Sequence, residues 1–175
     1  MEAPFAPKKG MPDLSVEELA ARLQPGQRLL GFDLGDKTIG LALSDVECRI
    51  ATAMRTLARR KFSDNAAEIF AIVDQQGVGG LVFGLPLNMD GSSGPRVQAT
   101  RTFARNLRNL RDLPILFWDE RLSTVAAERT LLEADLSRQK RAARIDAAAA
   151  QFILQGTLDR MRDIRNKKTS GEPEA

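Results

Sequence analysis

A chain of 175 residues that is 43% apolar has material for one good core and hardly for two, and it contains no histidine and a single cysteine, Cys48. That composition excludes Ser-His-Asp and Cys-His catalysis, histidine-ligated zinc and an internal disulfide, so chemistry must run on carboxylates and any metal on hard oxygen ligands. A formal charge of +3 is a mild basic bias that suits a nucleic-acid partner.

No apolar run approaches the roughly 20 residues of a membrane span, and the N-terminus lacks the hydrophobic stretch of a signal peptide, so a soluble, cytoplasmic protein is expected. Residues 1–13, with three prolines and two lysines, read as a disordered leader. Leu14, Val16, Leu19 and Leu23 behind Ser15 predict a short helix over 14–24, stopped by Pro25-Gly26. Residues 1–27 are thus a leader carrying a short helix.

Strand signals follow at 28–34, 38–44 and about 49–57, with turns at 35–37 and 45–47, which makes an antiparallel meander. A helix is expected over 63–76, capped by Ser63 or Asp64 and ended by Gly77, then an apolar strand over 80–84. The loop 85–95 is long and turn-rich, a helix spans 96–111, and Pro114 opens a strand over 115–118. A helix near 124–135, a basic link over 137–141 and an alanine-rich helix over 144–162 complete a domain of residues 28–164, leaving 165–175 as a polar tail. A meander followed by strand-helix-strand units requires an α/β fold: a mixed five-stranded sheet, three strands antiparallel and the rest parallel, flanked by helices.

Within Leu29-Leu30-Gly31-Phe32-Asp33-Leu34-Gly35, alternation sends Leu30, Phe32 and Leu34 to one face and Gly31, Asp33 and Gly35 to the other. A carboxylate between glycines on a bare face admits a ligand or a phosphate backbone, and its desolvation cost implies a cation or a functional role. The plainer alternative is an Asp that ends a strand at a turn.

Two further acidic sites fall where ligands gather at the carboxyl ends of strands: Asp119-Glu120 after the fifth strand, and Asp146 in the first turn of the final helix. Alternation pairs Trp118 with Glu120 and Phe117 with Asp119, so one acid points at Asp33. Glu120 is the expected one, with Asp119 held by Arg121 or by backbone amides. Taken alone, the pair is also explained as an acidic strand exit, and Asp146 as a favourable charge at a helix N-terminus. Together, converging carboxylates repel unless divalent ions neutralise them. Asp33, Glu120 and Asp146 are therefore candidate ligands for Mg²⁺ or Mn²⁺ in a two-metal phosphodiester hydrolysis, with Asp119 an adjacent catalytic candidate.

The segments GFDLGDKTIGLALSD, VFGLPLNMDGSSGP, FWDERLSTVAAE and ARIDAAAAQFILQGTLD closely resemble, in order, the motifs of the YqgF/RuvX family, over nearly everything from Arg28 to Arg162. The resemblance implies an RNase H-like fold related to Holliday-junction resolvases, and a nuclease trimming the 5′ end of pre-16S rRNA, or resolving Holliday junctions in some bacteria. It also implies that Asp33, Glu120 and Asp146 occupy the positions of the family's acidic triad. The chain departs from many relatives at Thr38, where they carry Arg or Ser, and at Ala147, where they carry Lys or Ser.

Candidate nucleic-acid contacts are Arg138, Lys140, Arg141 and Arg144 leading into Asp146, Asn88 in the long loop, Lys37 in the first turn, and Arg121. Arg101, Arg105 and Arg108 share a helix face and either track phosphates or are simply solvated. Trp118, in an apolar strand, reads as core. The expected partner is pre-rRNA, as part of ribosomal precursor particles, or branched DNA, with no membrane. A resolvase needs two active sites and hence a homodimer, whereas a trimming nuclease works as a monomer. An ATPase of the actin and sugar-kinase type would need a second domain to enclose ATP, and a non-catalytic RNA-binding factor would leave three separated acids without a purpose.

Overall fold

The computed structural model describes residues 13–122 and 138–171. Helix α1 (Val16–Arg22) precedes the meander β1 (Arg28–Leu34), β2 (Thr38–Ser44) and β3 (Ala51–Ala58). Then come α2 (Phe62–Gln76), β4 (Val78–Leu85), α3 (Pro95–Leu110) and β5 (Ile115–Asp119). A single turn of 3₁₀ helix, Glu120–Leu122, follows β5, and the long helix α4 (Arg138–Ser170) ends the described chain. The sheet order is β3-β2-β1-β4-β5, with β1/β2 and β2/β3 antiparallel and β1/β4 and β4/β5 parallel. This is the mixed, helix-flanked sheet that the order of elements requires.

Central position explains the composition of β1 and β4. With neighbours on both edges and helices on both faces, nearly every residue is buried, so these strands read as apolar runs. On one face Leu30, Phe32, Ile39, Leu41, Leu81 and Phe83 pack against Ile69, Ile72, Phe103 and Leu107 of α2 and α3, with the Phe32 and Phe83 rings stacked 4.3 Å apart. On the other face Leu29, Val82, Leu116 and Trp118 meet Leu19 of α1 and a stripe on α4, comprising Ala149, Ala150, Ile153, Leu154, Leu158 and Met161.

The bare face of β1 has a use the sequence did not suggest. A Cβ on Gly31 would stand 2.8 Å from Leu154 Cβ, so this glycine admits α4 rather than a ligand. Glycines on the strands and alanines on the helix together let α4 lie close on the sheet.

Several boundaries differ from expectation. The helix in the leader docks into the core, Leu19 being fully buried, so this part of the leader belongs to the packed unit. α2 is capped at Lys61, without a side-chain bond, rather than at Ser63 or Asp64. Gly77 closes it as expected, in the left-handed conformation with its N–H on the Val73 carbonyl. β4 is longer than 80–84. The basic link is not a link, because α4 begins at Arg138, which places Arg138, Lys140, Arg141 and Arg144 in its first turns. α4 also continues to Ser170, through residues read as a tail. The helix expected at 124–135 lies outside the described residues. Among the described residues, no helix is long and apolar enough to cross a membrane.

Candidate active site

Asp33 is the penultimate residue of β1 and is 2% exposed. Its partner across β2 is Gly40. On the other side, one step beyond the Phe32 and Phe83 pair, β4 presents Gly84. Both flanking positions therefore lack side chains, and each is filled from outside the sheet. A Cβ on Gly40 would overlap the backbone carbonyl of Asp146. A Cβ on Gly84 would stand 2.8 Å from Glu120 Oε1. The Glu120 carboxylate thus lies on the β4 side of Asp33, beside Ile153 of α4, and the Asp146 backbone on the β2 side.

Each acid is positioned by a different element. Asp33 takes its direction from the strand pleat. Glu120 follows Trp118, which faces α4 against Gly156, where a Cβ would come within 2.8 Å of the indole. The 3₁₀ turn that starts at Glu120 carries its side chain on over Gly84. Asp146 lies more than two turns inside α4 rather than in its first turn. Since the helix dipole acts within the first turn, a simple dipole role for Asp146 falls away. Its carboxylate accepts a hydrogen bond from the Thr38 hydroxyl at the start of β2, and Oδ2 lies 3.8 Å from where a Gly35 Cβ would be. Thr38 also closes the β1–β2 turn, its carbonyl accepting the Gly35 N–H at 2.8 Å.

All the side-chain donors here are oxygens, the set that suits a hard divalent cation. Among the described residues no three acidic, histidine or cysteine side chains stand close enough together to hold one ion.

Residues 27–160 match the model of the RuvX family, described as Holliday junction resolvase. The chain belongs to the RuvX family. A Paramagnetospirillum magneticum relative is 61% identical over 149 residues, 85% of this chain and 96% of its own. One from Rhizobium etli is 59% identical over 148 residues, 85% of this chain and 90% of its own. Both carry the name "Putative pre-16S rRNA nuclease". Among solved structures, T. thermophilus RuvC in complex with a Holliday junction substrate aligns with a TM-score of 0.51. That alignment covers 77% of this chain and 96% of the RuvC chain at 10% identity, a likeness of fold alone. The sheet of this RuvX-family chain is accordingly the RNase H-like one.

The remaining candidates in this RuvX-family chain are dispersed. Asp119 points away from Asp33 and is clasped by Arg121, whose Nε and Nη2 lie 3.0 and 2.7 Å from its oxygens, with the Arg121 N–H adding a third bond at 3.0 Å. The Arg121 guanidinium beside it holds the Asp119 carboxyl below its ordinary value, and Asp119 in turn raises Arg121. Arg121 also reaches the Met89 carbonyl at 3.4 Å, and its Nη1 lies 3.4 Å from the place a Gly91 Cβ would take. It therefore joins the strand exit to the long loop. Asn88, exposed in that loop, spends its side chain on Ser92 Oγ at 2.9 Å. Lys37 is exposed in the β1–β2 turn. Arg101 leaves the expected stripe: it pairs with Asp13 at 2.8 Å and lies over the Phe117 ring. Of Arg138, Lys140, Arg141 and Arg144 only the backbone is described.

Sequence reasoning missed Gly40, Gly84 and the partnership of Thr38 with Asp146. The two partners are 108 residues apart, and no local pattern links them. Only the TIGLALS run hinted at Gly40, as a strand residue with no side chain opposite Asp33.

Proposed function

We propose that this RuvX-family chain is a divalent-metal-dependent nuclease that hydrolyses phosphodiester bonds of structured RNA in 5′-end processing of pre-16S rRNA. The observation that carries this reading is the flanking of Asp33 by Glu120 over Gly84 and by Asp146 over Gly40, from three elements that share no local sequence. The names of the close relatives support the substrate.

In this reading Asp33 with Glu120, and Asp33 with Asp146, hold Mg²⁺ or Mn²⁺. Such ions lower the pKa of an attacking water and stabilise the leaving oxygen of an in-line displacement. Asp33 is kept in place by the strand, and burial under α4 keeps bulk water from its side. Thr38 fixes the Asp146 carboxylate, leaving its second oxygen for the cation. The Asp119 and Arg121 pair ties the 85–95 loop to the strand exit and so borders the cleft.

The test is a cleavage assay of the purified chain on a pre-rRNA leader, single-stranded RNA and a four-way DNA junction. Cleavage of the leader with Mg²⁺ or Mn²⁺, poor support by Ca²⁺ and none in EDTA is expected. Full activity in EDTA after dialysis overturns the metal mechanism. Symmetric cutting of the junction alone would favour the second reading, a homodimeric resolvase, which the description of the family model supplies. Absence of cleavage and of calorimetric metal binding would leave an RNA-binding factor.

A further inference from the structure

Among the described residues, the cations on the two sides of the candidate acids are not equivalent. On the β5 side Arg121 is neutralised by Asp119 and committed to the loop. On the β3 side the situation is reversed. Where β3 ends, Arg59, Arg60 and Lys61 lie beside the β1–β2 turn, the Arg59 N–H bonding the Lys37 carbonyl at 2.9 Å. Arg59 closes this corner. Its guanidinium donates to the Gly35 carbonyl at 2.8 Å and lies over the Phe103 ring. Gly35 itself borders the Asp146 carboxylate.

The connection is rigid as well as basic. Fully buried Asn65 accepts the Arg60 N–H at 2.8 Å and donates to the Ala58 carbonyl at 3.0 Å. Lys37, Arg60 and Lys61 are all exposed, and among the described residues none has an ion pair or a side-chain hydrogen bond. Elsewhere on the surface Arg49, Arg101, Arg111, Arg160 and Arg162 each pair with an acid, while among the described residues exposed cations such as Arg22, Lys167 and Lys168 do not, so it is the position beside the β1–β2 turn that sets this trio apart. Asp36 and Asp64, in the same two segments, offset only part of the positive charge. Three cations unpaired among the described residues, on a backbone held by Arg59 and Asn65 and beside the turn that borders the Asp146 carboxylate, form a surface that attracts a polyanion toward acids that would otherwise repel it.

We propose that Lys37, Arg60 and Lys61 are the track on which the phosphate backbone of a single-stranded RNA leaves the acidic cluster, along the β2–β3 side of the sheet rather than the Arg121 side. The proposal rests on the nuclease reading for its substrate, but its test does not require turnover. Binding of fluorescently labelled polyuridine to the full-length chain, carrying Asp33→Asn to block cleavage, is measured by anisotropy across a salt series. The triple variant Lys37→Gln, Arg60→Gln, Lys61→Gln is compared with a charge-matched control, Arg22→Gln, Lys167→Gln, Lys168→Gln.

Each phosphate contact contributes about 0.7 to the slope of log K against log salt for single strands. Loss of the track should flatten the slope by about 2 and weaken binding about a hundredfold at about 0.1 M salt. The control should change neither. An unchanged slope in the track variant overturns the proposal, as does an equal loss in the control or the absence of polyuridine binding by the parent. A parent that binds with the expected slopes, in a chain whose wild type fails to cleave with Mg²⁺, would sink the nuclease reading and leave the track standing.

Discussion

Thr38, the first residue of β2, donates its hydroxyl to the carboxylate of Asp146 on α4, 108 residues further along the chain. The bond holds a proposed metal ligand from the strand next to the one that carries Asp33. Thr38→Val keeps the shape and removes the donor, whereas Thr38→Ser keeps the donor. A hydrogen bond to a charged group contributes about 1.5–3 kcal/mol, so the valine variant should lose at least about tenfold in kcat and need more Mg²⁺ for half-maximal activity. The serine variant should recover most of both. Mn²⁺ titration by calorimetry reads the ligand separately from turnover, and a valine variant with wild-type kcat and wild-type metal affinity would make Thr38 a strand residue only.

The facing of the acids predicts an order of severity. Asp33→Asn and Glu120→Gln should each lower kcat by roughly a thousandfold or more, with metal binding reduced and RNA binding retained. Asp119→Asn should cost far less, because its carboxylate is spent on Arg121. Single-turnover cleavage measures all three, and the reverse order would mean that the acid on the other face of the strand exit is the ligand.

Gly40 tests the packing of α4 on the site. Its φ is not positive, so alanine brings no backbone strain; the problem is the Asp146 carbonyl, which a Cβ would overlap, and the Ala147 nitrogen 2.9 Å away. Backbone atoms inside a packed helix cannot swing aside. Gly40→Ala should therefore destabilise the fold by about 1–3 kcal/mol and displace Asp146, lowering activity below what the stability loss explains. Gly35→Ala, whose nearest atoms would be Thr38 oxygens at 3.2 and 3.4 Å, should be milder. Chemical denaturation distinguishes them, and equal stability of Gly40→Ala and wild type would contradict the close approach of α4.

Asp119 gives a pH signature. Its folded pKa lies below the unfolded value because Arg121 favours the charged form. The ion pair's contribution is therefore fully present above the unfolded pKa of about 3.9 and is lost as pH falls through the lower folded value. The difference in Tm between wild type and Asp119→Asn should be constant above about pH 5 and close at lower pH. Differential scanning calorimetry across that range checks it, and a gap that widens on acidification would assign the effect to another group.

The faces of Asp33 and Glu120 were legible locally, while the place of Asp146 in its helix was not. Period-two alternation sets Asp33 opposite Leu34 and puts Glu120, not Asp119, on the Trp118 side, because the pleat repeats within a few residues. Strand and helix order followed for the same reason, since apolar spacing and turn residues act over one element at a time, as Gly77 shows at the end of α2. Other outcomes required the tertiary structure. That Gly40 stands opposite Asp33, that Glu120 lies over Gly84, and that Thr38 meets Asp146 all depend on strand order, register and the path of α4. Charge followed the same division. The pairing of Asp119 with Arg121, two residues apart, was expected from the sequence, whereas the exposure of Arg60 beside the β1–β2 turn came only with the structure. Identity and spacing determined which groups this chain could bring to a site, and the packing of one long helix across the sheet decided which of them meet, because contacts between distant segments are set by the shape of the whole core rather than by local preference.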